Sequence, residues 1–270
     1  MKIILSKQRF LSYLKVWIRL AINSIQETFI NRGTSALFFS GKAIRFGMMI
    51  VFLLLLQTQL DSFAGYTTSH LVVFYLTYYF VDLFGQIIFR GVYQFGQKIR
   101  TGEFDFFLLK PVSPLFQSLV GKPDINDLIF LVPSGLISFY LVSQLDIAVT
   151  TSSLLWFALL FINGLVIITS LHILVLAVAI ITVDIDGIIW LFRDVSRLGQ
   201  FPVSIYFEPL RTILFFLIPI GMMVTIPAEI LIGSSSSHAI STAIFIGFAS
   251  LITSLSLWKL SLRYYSSASS

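Results

Sequence analysis

The sequence predicts an all-α polytopic membrane protein with six transmembrane helices. Three observations indicate this fold class. Of the 270 residues 57% are hydrophobic and only 11% are charged, whereas soluble domains carry about 25% charged residues. Six stretches are apolar enough to cross a bilayer, and the basic residues are confined to one side of them. Together these properties argue against a soluble enzyme, a disordered chain and a nucleic-acid-binding domain.

The six predicted spans differ in quality. A bilayer core about 30 Å thick needs roughly 20 apolar residues per helix. Residues 154–183 carry no charge and would extend about 45 Å as a helix, which predicts one tilted or projecting helix. Residues 125–142 are the weakest span, because Asp127 and Pro133 interrupt them. In chain order the predicted spans are residues 46–60, 71–89, 125–142, 154–183, 212–232 and 239–258.

The positions of the cations predict the orientation of the chain. All 18 Lys and Arg residues fall on one side of the predicted spans, and the short loops on the other side have none. Because cytoplasmic loops are enriched in Lys and Arg, both termini are predicted to be cytoplasmic. Residues 1–270 then form a single transmembrane domain. The segments on the basic side are residues 1–45, 90–124, 184–211 and 259–270.

Residues 1–30 predict an amphipathic helix at the membrane interface. Apolar residues recur at helical spacing between Phe10 and Ile25, with basic residues interleaved. The alternative is that this helix packs on the cytoplasmic loops of the protein itself. No secretory signal is expected, because the segment lacks a compact apolar core and a small-residue cleavage site.

The loop between the second and third spans predicts a short capped helix. Thr101 is expected to cap it, and Glu103 and Asp105 in its first turn suit the positive end of the helix dipole. Lys110 lies at the other end, and Pro111 stops the helix.

This short helix has an apolar face that could contact a partner. Phe104, Phe107 and Leu108 follow the i, i+3, i+4 spacing of such a face. The face suits docking into the groove of a partner protein, and the alternative is that it rests on lipid. A second short helix is predicted from Ser113 as its cap to Gly121 just after its end.

Several motifs that carry enzyme chemistry are missing. Two Gly-Lys pairs, at residues 41–42 and 121–122, lack both the earlier glycine and the following Ser or Thr of a phosphate-binding P-loop. The chain has no cysteine, and its three histidines show no metal-ligand spacing. We therefore expect neither enzyme activity nor a metal site in this chain.

Four polar residues inside the predicted spans are candidates for function, since such groups are costly in lipid. Asp82 could line a pathway or carry a proton, or it could form a structural hydrogen bond, for which Gln86 is suitably spaced. His172 could contact substrate or bond to another helix. Glu229 follows Pro227, and this proline implies a broken or re-entrant helix that lines a cavity.

The run RTGEFDFFLLKPVSPLF at residues 100–116 resembles the cytoplasmic signature of type-2 ATP-binding-cassette (ABC) exporter permeases. In that family the loop reads approximately R-x-G-[ED]-[LF]-D-x-x-L-L-[KR]-P-x-[SN]-P. Three further stretches are similar to family segments: residues 197–206 (RLGQFPVSIY), residues 226–228 (IPA) and residues 262–269 of the tail. The tail is rich in Ser where a final Gly is common.

The resemblance implies a permease subunit in a bacterial inner (cytoplasmic) membrane. This subunit would form half of a translocation pathway with a second permease, identical or similar, and would bind a separate cytoplasmic ATPase. ATP and Mg would be bound by the ATPase, so no cofactor is expected in this chain, and nucleic acid is not an expected partner. The implied coupling helix comprises Gly102, Glu103, Phe104, Asp105, Phe107, Leu108, Leu109, Lys110 and Pro111.

Two other functions stay open at the level of sequence. An ion-coupled secondary transporter would use Asp82 for its proton or sodium dependence. A non-transporting membrane scaffold would have a stable partner but no flux. The substrate is not readable from the sequence.

Overall fold

The structure is a computed structural model that describes residues 2–63, 65–182 and 185–266. Almost all of these residues are helical, and a small antiparallel hairpin joins β1 (Ser62–Phe63) to β2 (Tyr66–Thr67). The helices are α1 (Lys2–Ile30), α2 (Arg32–Gln59), α3 (Thr68–Ile88), α4 (Phe95–Arg100), α5 (Glu103–Leu109), α6 (Pro114–Val120), α7 (Ile125–Ser143), α8 (Thr151–Thr182), α9 (Ile185–Arg197), α10 (Leu210–Thr212), α11 (Ile226–Leu231) and α12 (Ser237–Tyr264).

Helices α3 and α8 form the centre of an all-α membrane bundle. Both are largely buried, whereas α2, α7 and α12 expose most of their apolar surface. These five helices are long and apolar enough to cross a membrane. Helices α2 and α7 pack on α3, and α12 lies along α8. The outer faces are suited to lipid, because apolar side chains such as Leu136 and Phe245 are exposed there.

The uninterrupted apolar stretch forms one helix, as the sequence predicted. Helix α8 has 32 residues, and small residues allow α12 to approach it closely. Asn163 of α8 donates a hydrogen bond to the carbonyl of Ala243 at 2.9 Å. A Cβ atom on Gly247 would lie 2.0 Å from the Asn163 side chain, so only glycine fits at this crossing.

The first membrane helix begins much earlier than predicted. It was expected over residues 46–60, but α2 runs for 28 residues and includes Lys42 and Arg45. The prediction stopped at these cations because charge counts against a span, and the acids that pair with Lys42 are distant in sequence. The predicted spans 71–89, 125–142 and 239–258 correspond to α3, α7 and α12 within a few residues.

The fifth crossing is not where hydropathy placed it. Residues 184–211 were expected to form a cytoplasmic loop, yet the chain from Ile185 to Tyr206 runs antiparallel to α3 along its whole length. Helix α9 contacts the segment just after the end of α3, and Gly199 packs on Tyr78 in the middle of α3. The Ser204 hydroxyl is then 3.2 Å from the hydroxyl of Tyr66, just before α3 begins.

The predicted fifth span, residues 212–232, is a re-entrant segment. The helical pieces Leu210–Leu217 and Gly221–Leu231 meet at 71°. The elbow lies at mid-depth, because Ile220 packs on Gly199, and the segment then returns to the end at which it started. The break occurs at Pro219 and not at Pro227, which lies in the first turn of α11, where a missing N–H is tolerated.

Six crossings therefore remain among the described residues. The stretch from Ile185 to Tyr206, which was predicted to be a loop, is the fifth crossing, and residues 212–232, which were predicted to be the fifth span, are re-entrant. We call the end of the bundle that contains residues 90–124 the basic end, and the end that contains β1 and β2 the hairpin end. Arg211 lies near the hairpin end, which corrects the prediction that every cation is on one side. The predicted tail motif extends past Ser266 and so lies partly outside the described residues.

Candidate functional site

The predicted coupling helix is present as α5, with a different cap. Gly102 precedes it with φ of +73°, a left-handed conformation that favours glycine. The Thr101 hydroxyl does not cap α5 but donates back to the carbonyl of Gln97 at 3.0 Å. Glu103 and Asp105 occupy the first turn, as expected from the helix dipole.

Phe104 attaches α5 to the bundle. Its ring is fully buried and lies 5.1 Å from the ring of Phe95 and 5.0 Å from that of Tyr265. The Tyr265 hydroxyl donates to Asp105 Oδ1 at 2.9 Å. Burial, together with this hydrogen bond, raises the pKa of Tyr265 to about 12. One side of α5 is thus packed against α4 and the end of α12.

The opposite side of α5 is an exposed apolar surface. Phe106 and Leu109 are 64% and 82% exposed, and Leu108 and Lys110 are also exposed. We call Phe106, Leu108 and Leu109 the α5 tip. Phe106 was not predicted as part of a docking face, because it lies outside the i, i+3, i+4 pattern that contains the buried Phe104.

Phe107 lies between two lysines on the side of α5. The Lys98 ammonium is 4.8 Å from the centre of its ring, and the Lys110 ammonium is 5.2 Å away. Burial lowers the pKa of Lys98, an effect that the charge of Glu103 opposes. Phe107 is therefore covered by cationic groups and is less available to an apolar partner than the α5 tip.

Helix α6 joins α5 to the bundle through a close backbone contact. It runs from Pro114 to Val120, between Ser113 and Gly121 as predicted, but the Ser113 side chain makes no capping hydrogen bond. A Cβ atom on Gly91 would lie 2.5 Å from the carbonyl oxygen of Ser118. A Cβ atom on Gly121 would lie 2.4 Å from the Cα of Gly91. The two glycines allow the segment after α3 to cross directly against the end of α6.

Helix α1 combines both arrangements that its sequence left open. Its inner face packs on the protein: the backbone N–H of Ser113 donates to the Tyr13 hydroxyl at 3.1 Å, and Ser24 donates to the Pro123 carbonyl at 2.6 Å. Its outer face exposes an apolar stripe suited to a membrane interface. The side chain of Phe10 lies outside the described residues. The stripe comprises Leu11, Leu14, Ile18, Ile22, Ile25 and Phe29.

A polar cavity of about 590 Å³ lies in the basic half of the bundle, between α1, α2, α3, α7 and α9. Asp82 and Gln86 line it, and Gln86 Nε2 donates to Asp82 Oδ2 at 2.7 Å, the hydrogen bond that their spacing predicted. Tyr78 and Tyr79 of α3 also face this space. Asp82 therefore lines a cavity and also accepts a hydrogen bond from Gln86.

Lys42 forms an ion-pair network at the edge of this cavity. Its ammonium lies 2.9 Å from Asp124 and 2.6 Å from the buried Asp127, and Arg90 lies 3.7 Å from Asp124. Although burial opposes its ionisation, Lys42 and Arg90 hold the pKa of Asp124 below its ordinary value. These pairs join α2 to α7, and the sequence did not reveal them because 82 residues separate Lys42 from Asp124.

The other two polar candidates, His172 and Glu229, do not line this cavity. His172 is buried between the rings of Phe89 and Phe192, at 5.0 and 4.8 Å, and its Nδ1 donates to the Ile168 carbonyl at 2.8 Å. This bond stays within α8 and does not link two helices. Glu229 lies at the hairpin end, where it accepts a hydrogen bond from Tyr66 at 2.6 Å.

Helix α9 exposes an ion pair close to the middle part of α3. Arg197 lies 2.9 Å from Asp194, and their side chains are 44% and 67% exposed. The neighbouring Gly199 packs on Tyr78, the central part of α3, so this pair is far from both ends of the bundle. Exposed charges at such depth are too costly to face lipid. This face of α9 therefore requires water or a polar partner.

These features define a polytopic helical membrane protein with a polar interior cavity and a charged face at membrane depth. The sequence model of the family described as ABC-2 family transporter protein matches residues 43–269. The chain belongs to this family and is an integral membrane permease of an ABC transporter. No curated protein and no solved structure matches it. In the described part of the chain, no group of three or more His, Asp and Glu side chains could hold a metal ion.

Proposed function

We propose that this permease is half of an ATP-driven exporter. It pairs with a second permease, identical or similar, and binds a separate ATPase at its basic end. Both termini then face the cytoplasm of a bacterial cell, and the hairpin end faces outward. ATP and Mg are bound by the ATPase and not by this chain.

The observation that carries the proposal is the α5 tip. Three large apolar side chains, Phe106, Leu108 and Leu109, are exposed on a seven-residue helix at the basic end. A short helix whose apolar residues project from a fixed base is suited to a hydrophobic groove in a partner. The family membership of the chain makes an ATPase the expected owner of that groove.

The attachment of α5 indicates how force would reach the membrane helices. Phe104 and Tyr265 link α5 to α12, while the contact of Gly91 with Gly121 links α6 to the end of α3. Movement of the α5 tip would therefore be transmitted to both sides of the bundle. For ATP to drive transport, the ATPase must contact α5 differently in two states of the permease.

The charged face of α9 supports pairing with a second permease. The pair formed by Asp194 and Arg197 cannot face lipid in an isolated subunit, whereas a water-filled pathway between two subunits would solvate it. We therefore propose that α9 lines the translocation pathway.

Affinity purification from the native membrane tests the ATPase contact. The unmodified chain should co-purify with a P-loop ATPase, and both Phe106→Asp and Leu109→Asp should abolish this association. Phe207→Asp is the matched control, because Phe207 is equally apolar and exposed but lies near the hairpin end. Retention of the ATPase by both α5 variants in correctly folded protein would contradict the proposal.

Cysteine labelling tests the pathway. The chain has no cysteine, so a single Asp194→Cys substitution creates a unique thiol. In intact membranes this thiol should react with a small charged maleimide, whereas Leu136→Cys on the exposed apolar face of α7 should react far more slowly. Equal protection of both positions would show that α9 does not face water.

A further inference from the structure

Two arginines that line the cavity in the basic half form no ion pair with any carboxylate of the described residues. Lys42 is paired with Asp124 and Asp127, and Lys122 is paired with Glu27. Arg90 shares the charge of Asp124. The remaining cations that line the cavity are Arg45 and Arg193, and among the described residues neither has an acidic group within ion-pair distance.

Arg193 is held in place by aromatic rings. Its guanidinium carbon lies 5.5 Å from the centre of the Tyr93 ring and 5.8 Å from that of the Trp190 ring. Contacts with ring faces hold the plane of a guanidinium and leave the N–H groups at its edge able to donate. A guanidinium fixed in this way can bind two oxygens of a phosphate at once.

Asp82 lines the same cavity as both arginines, forms no ion pair among the described residues, and accepts a hydrogen bond from Gln86. One negative group thus faces two positive groups in this part of the cavity. The hydroxyls of Tyr75, Tyr78 and Tyr79 add further hydrogen-bond donors to the lining. The arrangement therefore has an excess of positive charge and of donors, which favours an anion.

Two large apolar side chains of the cavity lining are exposed. Phe38 of α2 and Trp190 of α9 line the cavity, and their side chains are 63% and 58% exposed. Large apolar groups beside a cationic cavity in a membrane protein are suited to a molecule with both an anionic head and an apolar tail. The volume of about 590 Å³ is within the usual range for sites that bind small molecules.

We propose that this cavity binds the phosphate headgroup of an amphiphile, with Arg45 and Arg193 contacting the phosphate oxygens and Phe38 and Trp190 contacting the apolar chain. This site lies within one permease and does not involve the α5 tip. It therefore goes beyond the proposed coupling function, and binding can be measured without any ATPase.

Binding of short-chain phosphatidic acid to the purified full chain in detergent tests the proposal. Arg45→Gln and Arg193→Gln should each weaken binding about tenfold or more, because each removes charge-assisted hydrogen bonds. Asp82→Asn should strengthen binding, because it removes the opposing charge, and a purely structural disturbance would not do so. Arg211→Gln is the control, since Arg211 lies outside the cavity and is paired with Glu208.

Two further ligands test which part of the amphiphile the cavity recognises. Phosphatidylcholine of the same chain length should bind weakly, and inorganic phosphate should compete only at much higher concentration. Equal binding of phosphatidylcholine, or equal competition by inorganic phosphate, would overturn the assignment of a phosphate-bearing amphiphile.

If Arg193→Gln does not fold, Arg193→Lys keeps the charge and should still weaken binding through loss of the fork geometry. Unchanged binding in folded variants would also overturn this assignment.

Discussion

The two ends of this permease hold their charged groups in different ways. At the basic end, Lys42 pairs with Asp124 and Asp127 across two helices. At the hairpin end, the carboxylate of Glu229 is bound by the neutral hydroxyl of Tyr66. The basic end also presents exposed apolar side chains on α5, whereas at the hairpin end the chain folds back into the membrane through a re-entrant segment.

This difference indicates that the two ends of the bundle, which are separated along the membrane normal, are held together with different strength. Ion pairs between separate helices join α2 and α7 strongly, and they are costly to break once buried. A single hydrogen bond from a hydroxyl to a carboxylate contributes about 1.5–3 kcal/mol, less than the roughly 3–5 kcal/mol lost when a buried ion pair is broken, so the hairpin end is held with less resistance to local change. We expect the loss of a tightly packed glycine or of an ion pair to have a larger effect at the basic end than at the hairpin end. The loss of one tyrosine hydroxyl should not, and four predictions test this contrast.

The largest effect is expected at Gly91. Gly91→Ala would place a Cβ atom 2.5 Å from a backbone carbonyl oxygen, so the backbone itself must move. We expect a loss of more than about 3 kcal/mol in the free energy of unfolding. At the hairpin end, Gly233 has φ of +77° but open space around it, so Gly233→Ala should cost only about 1 kcal/mol.

Unfolding by denaturant in detergent micelles measures both variants. Gly135→Ala in α7 is the control, since nothing lies within 4 Å of a Cβ atom there, and it should not destabilise the protein. Similar losses for Gly91→Ala and Gly233→Ala would remove the contrast between the two ends.

The second prediction concerns ion pairs. Lys42→Met leaves the buried Asp127 without its cation and should cost about 3 kcal/mol in the free energy of unfolding. Near the hairpin end, Arg211→Met breaks a solvent-exposed pair with Glu208 and should change the free energy of unfolding far less. Adding Asp127→Leu to Lys42→Met should recover part of the loss. No recovery would show that the loss comes from packing rather than from an unpaired charge.

The third prediction concerns the hydroxyl at the hairpin end. Tyr66→Phe removes the donor to the Glu229 carboxylate and should cost about 2 kcal/mol near neutral pH. Burial, and then the hydrogen bond to Glu229, raise the pKa of Tyr66 from 10.0 to about 12. The folded protein therefore binds this proton more tightly than the unfolded chain does. The stability that it contributes is complete below pH 10 and is lost as the pH rises toward 12.

Unfolding free energies of the wild type and of Tyr66→Phe at pH 8, 10 and 11 provide the measurement. The difference between the two proteins should shrink above about pH 10, which is the ordinary pKa of tyrosine. A constant difference over this range would show that the Tyr66 proton does not contribute.

The smallest effect is expected at Tyr265. Tyr265→Phe removes the hydrogen bond to Asp105 but keeps the ring contact with Phe104. Because Tyr265 is only partly buried, the free energy of unfolding should fall by less than about 1 kcal/mol. ATPase binding should be more sensitive than stability if the orientation of α5 matters. A loss of several kcal/mol in the free energy of unfolding would show that the Tyr265 hydrogen bond stabilises the whole basic end.

The sequence predicted those elements whose signals are local. Helix α8 has no charged residue to interrupt it, and α6 is bounded by Ser113 and Gly121. The hydrogen bond from Gln86 to Asp82 follows from a spacing of four residues in one helix. In each case the information lies within one continuous stretch of the chain.

Features that depend on distant partners could not be predicted. Hydropathy assigned the more apolar residues 212–232 to a full crossing and treated α9 as a loop because of its charges. In the structure those charges face a cavity or an exposed face of the bundle, while the apolar segment bends at Pro219. Likewise, spacing alone identified an apolar face on α5 but could not show that Phe104 points inward.

The contact between Tyr265 and Asp105 has a practical consequence for studying this protein. Anything joined to the chain soon after Tyr265, such as an affinity tag or a fluorescent reporter, is brought beside α5. A bulky group there could hinder the ATPase or change the orientation of α5 without affecting folding. Reporters inserted near Gly233, where the backbone turns in open space, avoid that interference.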